Sequence, residues 1–177
     1  MTEKQPHLKR NTLLGAMVDD TNMRIYFWDG IFSQWNMGDI VDPNLGVTLN
    51  CAEQGMMLNK AKMFGDEEAY EKILKAKAPW EQKDLGRGVK HFDVNIWRSA
   101  CRGLVAEINY HKFSQPEAKN LLLLSYGYEI VEASPYDKIW GIGLGVEHPD
   151  VTDKSKWRGT NWLGIAIEEA RTLILEE

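Results

Sequence analysis

Cysteine is scarce. Only Cys51 and Cys101 occur in 177 residues, with no metal-type spacing between them. Two isolated cysteines suit a reducing compartment, read here as the cytoplasm, and are expected to stay as thiols. Four histidines, His7, His91, His111 and His148, lie scattered, so no zinc motif is visible. No metal and no redox cofactor is therefore expected. Long apolar runs are missing as well. The longest plain aliphatic run, Leu121 to Leu124, is far shorter than the ~20 residues that span a bilayer. The N-terminus carries charge but no apolar segment of the secretory type, so no membrane partner is expected. Positive charge is not in excess either. The formal net charge of -5 argues against a general nucleic-acid coat. It leaves room for an enzyme that visits nucleic acid through a local basic rim. No internal repeat, low-complexity tract or domain linker stands out, and nothing fixes an oligomeric state.

What is present is an ordinary globular composition, 44% hydrophobic and 27% charged, in a chain long enough for one domain with a core. Seven tryptophans is a high count, and some of them can stack on a planar ligand. The chain is organised around residues 51–66. Good helix formers dominate from Ala52 to Phe64, and Gly65 offers a left-handed stop. At about 100° per residue, Glu53, Met57, Lys60 and Phe64 fall on one stripe. Glu53 and Lys60 are roughly 10 Å apart along the axis, too far for an i,i+4 pair, and they can frame two ends of one pocket. The plain alternative is also open. An acid in the first turn and bases in the later turns suit the helix dipole, with Met and Phe as core.

The remaining elements follow in order. Residues 1–10 are polar and read as loose, within an N-terminal extension to residue 20; the domain proper is expected over 21–177. Strands are expected over 24–28, 46–50 and 128–133, from their aromatic and β-branched content. Asp66 caps a helix over 67–77. Pro79 opens another, which Gly86 and Gly88 end. Asp93 begins a long helix to about Lys112, with Trp97, Cys101, Leu104, Val105 and Ile108 at core spacing. Ser114 to Glu117 matches a capping box for a helix holding Leu121 to Leu124. Residues 136–145 carry three glycines at alternate positions, which is not the dinucleotide fingerprint. They either let backbone approach a ligand or form a plain flexible loop. Asn161 caps a last helix from Trp162 to about Leu175. The fold class is α+β, mostly helical, a single domain with a small sheet.

Several separated stretches then fit one pattern. In order they are Phe32-Ser33, Ala52-Glu53 with Met56-Met57 and Lys60, Phe64-Gly65-Asp66, Leu85-Gly86-Arg87, Lys112-Phe113, Asp137 with Trp140-Gly141, and Arg158-Gly159 with Asn161 and Leu163-Gly164. Together they resemble the NADAR family, also called YbiA-like, from about Tyr26 to Arg171. Two places depart from it. Gln54-Gly55 stands where the family usually has His-Tyr, and Gln34-Trp35 where it often has Asn-Phe. Loss of an aromatic at 55 is expected to widen the pocket or change what it stacks.

The resemblance implies a YbiA-like fold and cleavage of a bond between ribose and nitrogen. Two substrate classes go with it. One is ADP-ribose attached to guanine, in DNA or in a nucleotide. The other is a ribosylamino-pyrimidine phosphate of riboflavin synthesis. Family members occur in bacteriophages, where removing ADP-ribose from DNA would counter a host toxin that adds it. A non-catalytic ADP-ribose binder is the third reading.

Carried onto these residues, Glu53 is the carboxylate that stabilises charge developing on the ribose and takes a proton from water. Lys60 either binds phosphate or acts as a nucleophile through a Schiff base, which needs a depressed pKa. The substrate side is assigned to Phe32, Ser33, Gln34, Asp137, Trp140, Gly141, Gly143 and Asn161. Ser33 and Gln34 orient the substrate, Trp140 stacks on a base, and Gly141 and Gly143 let backbone reach ribose or phosphate. Asp137 binds sugar hydroxyls or caps a turn, and Asn161 has the alternative of a simple helix cap. ADP-ribosylated DNA would be a transient partner, met through a rim drawn from Lys83, Arg87, Lys90, Lys154, Lys156 and Arg158.

Overall fold

The strand Arg24–Phe27 (β3) lies third in a four-stranded sheet, and the computed structural model describes that sheet and the rest of residues 7–177. On one side β3 pairs antiparallel with Ala16–Asp19 (β2), which pairs antiparallel in turn with Leu8–Asn11 (β1). On its other side runs Glu129–Glu132 (β6), parallel, with Arg24 opposite Glu129 and Phe27 opposite Glu132. The pair at the start of that register is locked by an ion pair, Arg24 Nε to Glu129 Oε2 at 2.8 Å. Within the N-terminal extension to residue 20, expected to be loose, Leu8–Asn11 and Ala16–Asp19 are instead sheet strands joined by a turn. Their polar side chains hid them, because β1 has no buried residue and its backbone bonding holds it. Residues 1–6 lie outside the described residues.

Internal contacts divide the chain into two compact units. The first contains the described residues up to Ser33 and Gln115–Glu177. Its core gathers Tyr26, Val131, Ala133, Ile142, Leu144 and Val151. Helices Pro116–Leu123 (α5) and Trp162–Leu175 (α6) belong to it, α6 packing on β6. The expected capping box does not form. Ser114 instead bonds back from its hydroxyl to Tyr110 O at 2.7 Å and closes the preceding helix.

The second unit, Gln34–Ser114, holds a hairpin of Ile40–Asp42 (β4) and Val47–Leu49 (β5), then four helices. These are Ala52–Met63 (α1), Glu67–Lys75 (α2), Pro79–Arg87 (α3) and Val94–Phe113 (α4). α1 touches each of the other three, which is why residues 52–58 are all buried. Gly65 ends it with φ +68, the left-handed turn that glycine adopts at least cost. Asp66 and Asp93 cap α2 and α4, accepting from Ala69 N and from Asn95 N and Ile96 N. Among the described residues no helix is long and apolar enough to cross a membrane.

Candidate active site

Glu53 sits in the first turn of α1 and is only 6% exposed. The start of this helix is built without a side-chain cap from Cys51. Glu53 N donates instead to Gln34 O at 3.0 Å, and Gln54 Oε1 accepts from Asn50 N at 2.9 Å. Gln54 Nε2 also donates to Ile73 O and Leu74 O at the end of α2. The departure at position 54 is thus a structural tie between two helices. The carboxylate of Glu53 accepts the indole N–H of Trp35 at 3.2 Å. The helix start and the indole donor both favour the carboxylate anion.

Lys60 lies two turns further along α1, half-buried. Its Nζ donates to Gly86 O at 2.7 Å and stands 4.3 Å from the Phe92 ring centroid and 5.8 Å from that of Trp97. Burial, and then the nearby charge of Arg87, hold its pKa below the ordinary lysine value, with Glu53 opposing. Gly86 makes the contact possible. A Cβ there would lie 1.9 Å from Met57 Sδ, so only glycine lets α3 approach α1 this closely. Gly86 is therefore inside α3, and Gly88 alone closes that helix. Gly55 is packed in the same way, where a Cβ would lie 2.6 Å from Leu49 Cδ1 and 3.2 Å from Ile108 Cδ1. The absent aromatic at 55 leaves no widened pocket, because aliphatic side chains fill the space.

One charged group in this unit escaped the sequence reading as a site candidate. Lys112, in the last turn of α4, is 5% exposed, and burial brings its amine to about 7. Its charge acts on the thiol of Cys51, which burial pushes up to about 11 and which donates to Gln82 Oε1 at 3.1 Å. A lysine four residues after Ile108, on the core spacing of α4, was the available signal.

The other predicted residues lie in the first unit. Phe32 is fully buried, its ring centroid 5.6 Å from that of Phe27, while Ser33 is partly exposed. The loop 136–145 brings Asp137, Trp140, Gly141 and Gly143 together with Asn161. Asp137 Oδ1 accepts from Ile139 N and Trp140 N at 2.8 Å each, so it caps a turn. Trp140, half-buried, meets Trp162 edge-on at 5.9 Å. Gly143, at φ +69, donates to Asp137 O, and Gly141 O accepts from Asn161 N. The loop is pinned rather than plainly flexible. Asn161 sits at the start of α6 in the left-handed region, φ 53, but its side chain does not cap the helix. It ties down β6, accepting from Glu132 N at 3.0 Å and donating to Ile130 O at 2.8 Å. The expected cap is replaced by these two bonds to strand backbone.

Of the six rim cations, four already face carboxylates: Lys90 on Glu68, Arg87 on Asp84, Lys156 on Asp150 and Lys154 on Glu129. Lys83 lies over the Trp35 ring, and Arg158 meets the His148 ring nitrogen. A cleft of about 410 Å³ opens where α1 turns into α2, lined by Lys62, Asp66, Glu67, Tyr70 and Glu71 among others. Neither Glu53 nor Lys60 lines it. Among the described residues no group of three or more His, Cys, Asp or Glu is gathered for a metal.

A NADAR domain model matches residues 26–175, and the chain belongs to the NADAR family. It is similar to Protein irg-1 of Caenorhabditis elegans, 39% identical over 124 residues, 68% of this chain and 58% of that protein. To N-glycosidase R617 of Acanthamoeba polyphaga mimivirus it is 39% identical over 145 residues, 80% of this chain and 85% of that one. A third relative, the chloroplastic riboflavin biosynthesis protein PYRR of Arabidopsis thaliana, is 31% identical over 115 residues, 62% of this chain and 17% of its own length. The chain thus spans less than two thirds of irg-1 and of PYRR. The solved structure of the Escherichia coli protein YbiA shares the fold, with a TM-score of 0.71 at 24% identity, covering 88% of this chain and 86% of that one. The α+β, YbiA-like fold expected from the sequence is the one observed.

Proposed function

We propose that the chain is a hydrolase of N-glycosyl bonds, and that it removes ADP-ribose from guanine carried in DNA or in a nucleotide. The observation that carries the reading is Glu53: a carboxylate 6% exposed, oriented by an indole N–H, in the first turn of a buried helix. Breaking a ribose C–N bond sends the electron pair to the base nitrogen, which takes a proton, and leaves positive charge on the sugar. Glu53 stabilises that charge and accepts the proton of the water that adds to the sugar carbon. Lys60 keeps one donor on Gly86 O and has two left for a phosphate oxygen. Its carbonyl and ring contacts oppose the burial that lowers its pKa and hold the ammonium in place for an anion contact.

The likeness to a protein named N-glycosidase over most of its length supports the bond class. Rim cations that already face carboxylates favour recognition of the ADP-ribosyl group over a long DNA backbone. Such an activity would reverse a modification placed by a DNA-directed ADP-ribosyltransferase toxin. A second reading, hydrolysis of a ribosylamino-pyrimidine phosphate, is favoured by the likeness to a riboflavin biosynthesis protein.

Mass spectrometry of released product tests both. The protein and Glu53→Gln are offered an ADP-ribosyl-guanine oligonucleotide and the pyrimidine phosphate in parallel. The expected result is free ADP-ribose from the oligonucleotide, reduced at least about 100-fold in the variant. Ribose 5-phosphate alone would move the chain to the second reading. Tight binding of ADP-ribose with no turnover of either substrate would refute both.

A further inference from the structure

Two successive residues grip Glu53 at its two ends. Gln34 O accepts its main-chain N–H at 3.0 Å, and the Trp35 indole N–H donates to its Oε2 at 3.2 Å. Gln34 is itself anchored, 8% exposed, with Nε2 donating to Asn109 Oδ1 on α4 at 3.3 Å. Asn109 is fixed in turn by donating to Val105 O at 2.8 Å. The backbone that carries Trp35 is therefore held by a buried amide chain, although 44% of Trp35 itself is exposed.

Two of its contacts bear on charge. The indole edge meets the carboxylate, and the Lys83 ammonium lies over the ring, 5.8 Å from the centroid. Indole is a donor only, so the bond is strongest to an ionised carboxylate. A cation on the ring face draws electron density from the ring and makes the N–H a better donor.

The geometry points to Trp35 as a positioning residue, whose indole N–H holds the Glu53 carboxylate ionised and in one orientation for the reaction, with Lys83 reinforcing that bond. This rests on the reading of Glu53 as the reacting carboxylate. Phenylalanine at position 35 keeps a ring and removes only the donor.

The test compares pH–rate profiles of the full chain, Trp35→Phe and Glu53→Gln on the ADP-ribosyl-guanine oligonucleotide. The expected result for Trp35→Phe is a kcat about tenfold lower, KM within about twofold, and an acidic limb displaced upward by about one pH unit, the tenfold equivalent of one lost charge-assisted bond. An unchanged acidic limb and kcat in Trp35→Phe, with Glu53→Gln inactive, would overturn the positioning role and leave the Glu53 reading standing. A fully active Glu53→Gln would overturn both. A second readout needs no turnover and no Trp35 variant. The Trp35 indole N–H proton resonance of the wild-type protein should move with pH as Glu53 titrates, and stay fixed in Glu53→Gln. A resonance that titrates identically in both proteins would refute the proposal.

Discussion

Lys112 gives the protein a pH dependence that can be worked out in advance. Its amine, 5% exposed, titrates at about 7 in the folded chain against 10.5 for a free lysine, and burial is the cause. A difference of that size corresponds to roughly 5 kcal/mol between the two protonation states. Between pH 7 and 10.5 the unfolded chain carries the proton and the folded chain does not. Folding stability from this group therefore rises with pH across that window, by up to about 1.4 kcal/mol per unit. Below pH 7 the folded chain is protonated too, and the burial penalty is present in full. Lys112→Met removes the titration and keeps the apolar stem. Urea unfolding of both proteins, from pH 6 to 9, reads the difference. The upper limit of 9 stays below the range in which the raised thiol of Cys51 titrates in the folded chain. Wild type should gain on the variant by about 2 kcal/mol between pH 7 and 9, and the two should run parallel below pH 6. A stability gap that stays constant across pH 7 to 9 would refute the reasoning.

Two further substitutions test the packing around the site. Gly86→Ala places a Cβ 1.9 Å from Met57 Sδ, so the Met57 side chain or α3 must shift, at a cost of about 1–3 kcal/mol in urea unfolding. Asn161→Ala leaves Glu132 N and Ile130 O without their side-chain partner, and should cost about 2 kcal/mol or more. Asn161→Gly tolerates the left-handed φ of 53 but lacks the side chain, so it should fall nearly as far if those bonds matter more than the backbone conformation.

The helices were legible because their ends announce themselves. Asp66, Asp93 and Pro79 mark three starts, and Gly65 marks the end of α1. Strands β3 and β6 showed through aromatic and β-branched runs. β1 did not, since its side chains are partly or wholly exposed and its place is set by partners across the sheet. The capping box at Ser114 misled because a serine can cap forwards or bond back, and only the fold decides. The same applies to Asn161. At the candidate site, Glu53 and Lys60 stood out by chemistry and spacing on one helix. The hold of Gln34 and Trp35 on Glu53 was invisible, because 18 residues separate Trp35 from the carboxylate it binds.

The parallel pairing of β3 with β6 also constrains the order in which the chain can mature. Arg24 and Glu129 are neighbours in the sheet but 105 residues apart in sequence, and the whole of Gln34–Ser114 lies between them. During synthesis the β1-β2-β3 meander emerges first, with one side of β3 unpaired. The helical segment follows, continuous in sequence and able to collapse on local contacts. Only when residues beyond 132 have left the ribosome can β6 cover that open strand, which until then is an edge able to recruit another chain. Truncation before Glu129 therefore leaves an adhesive edge rather than a smaller stable protein.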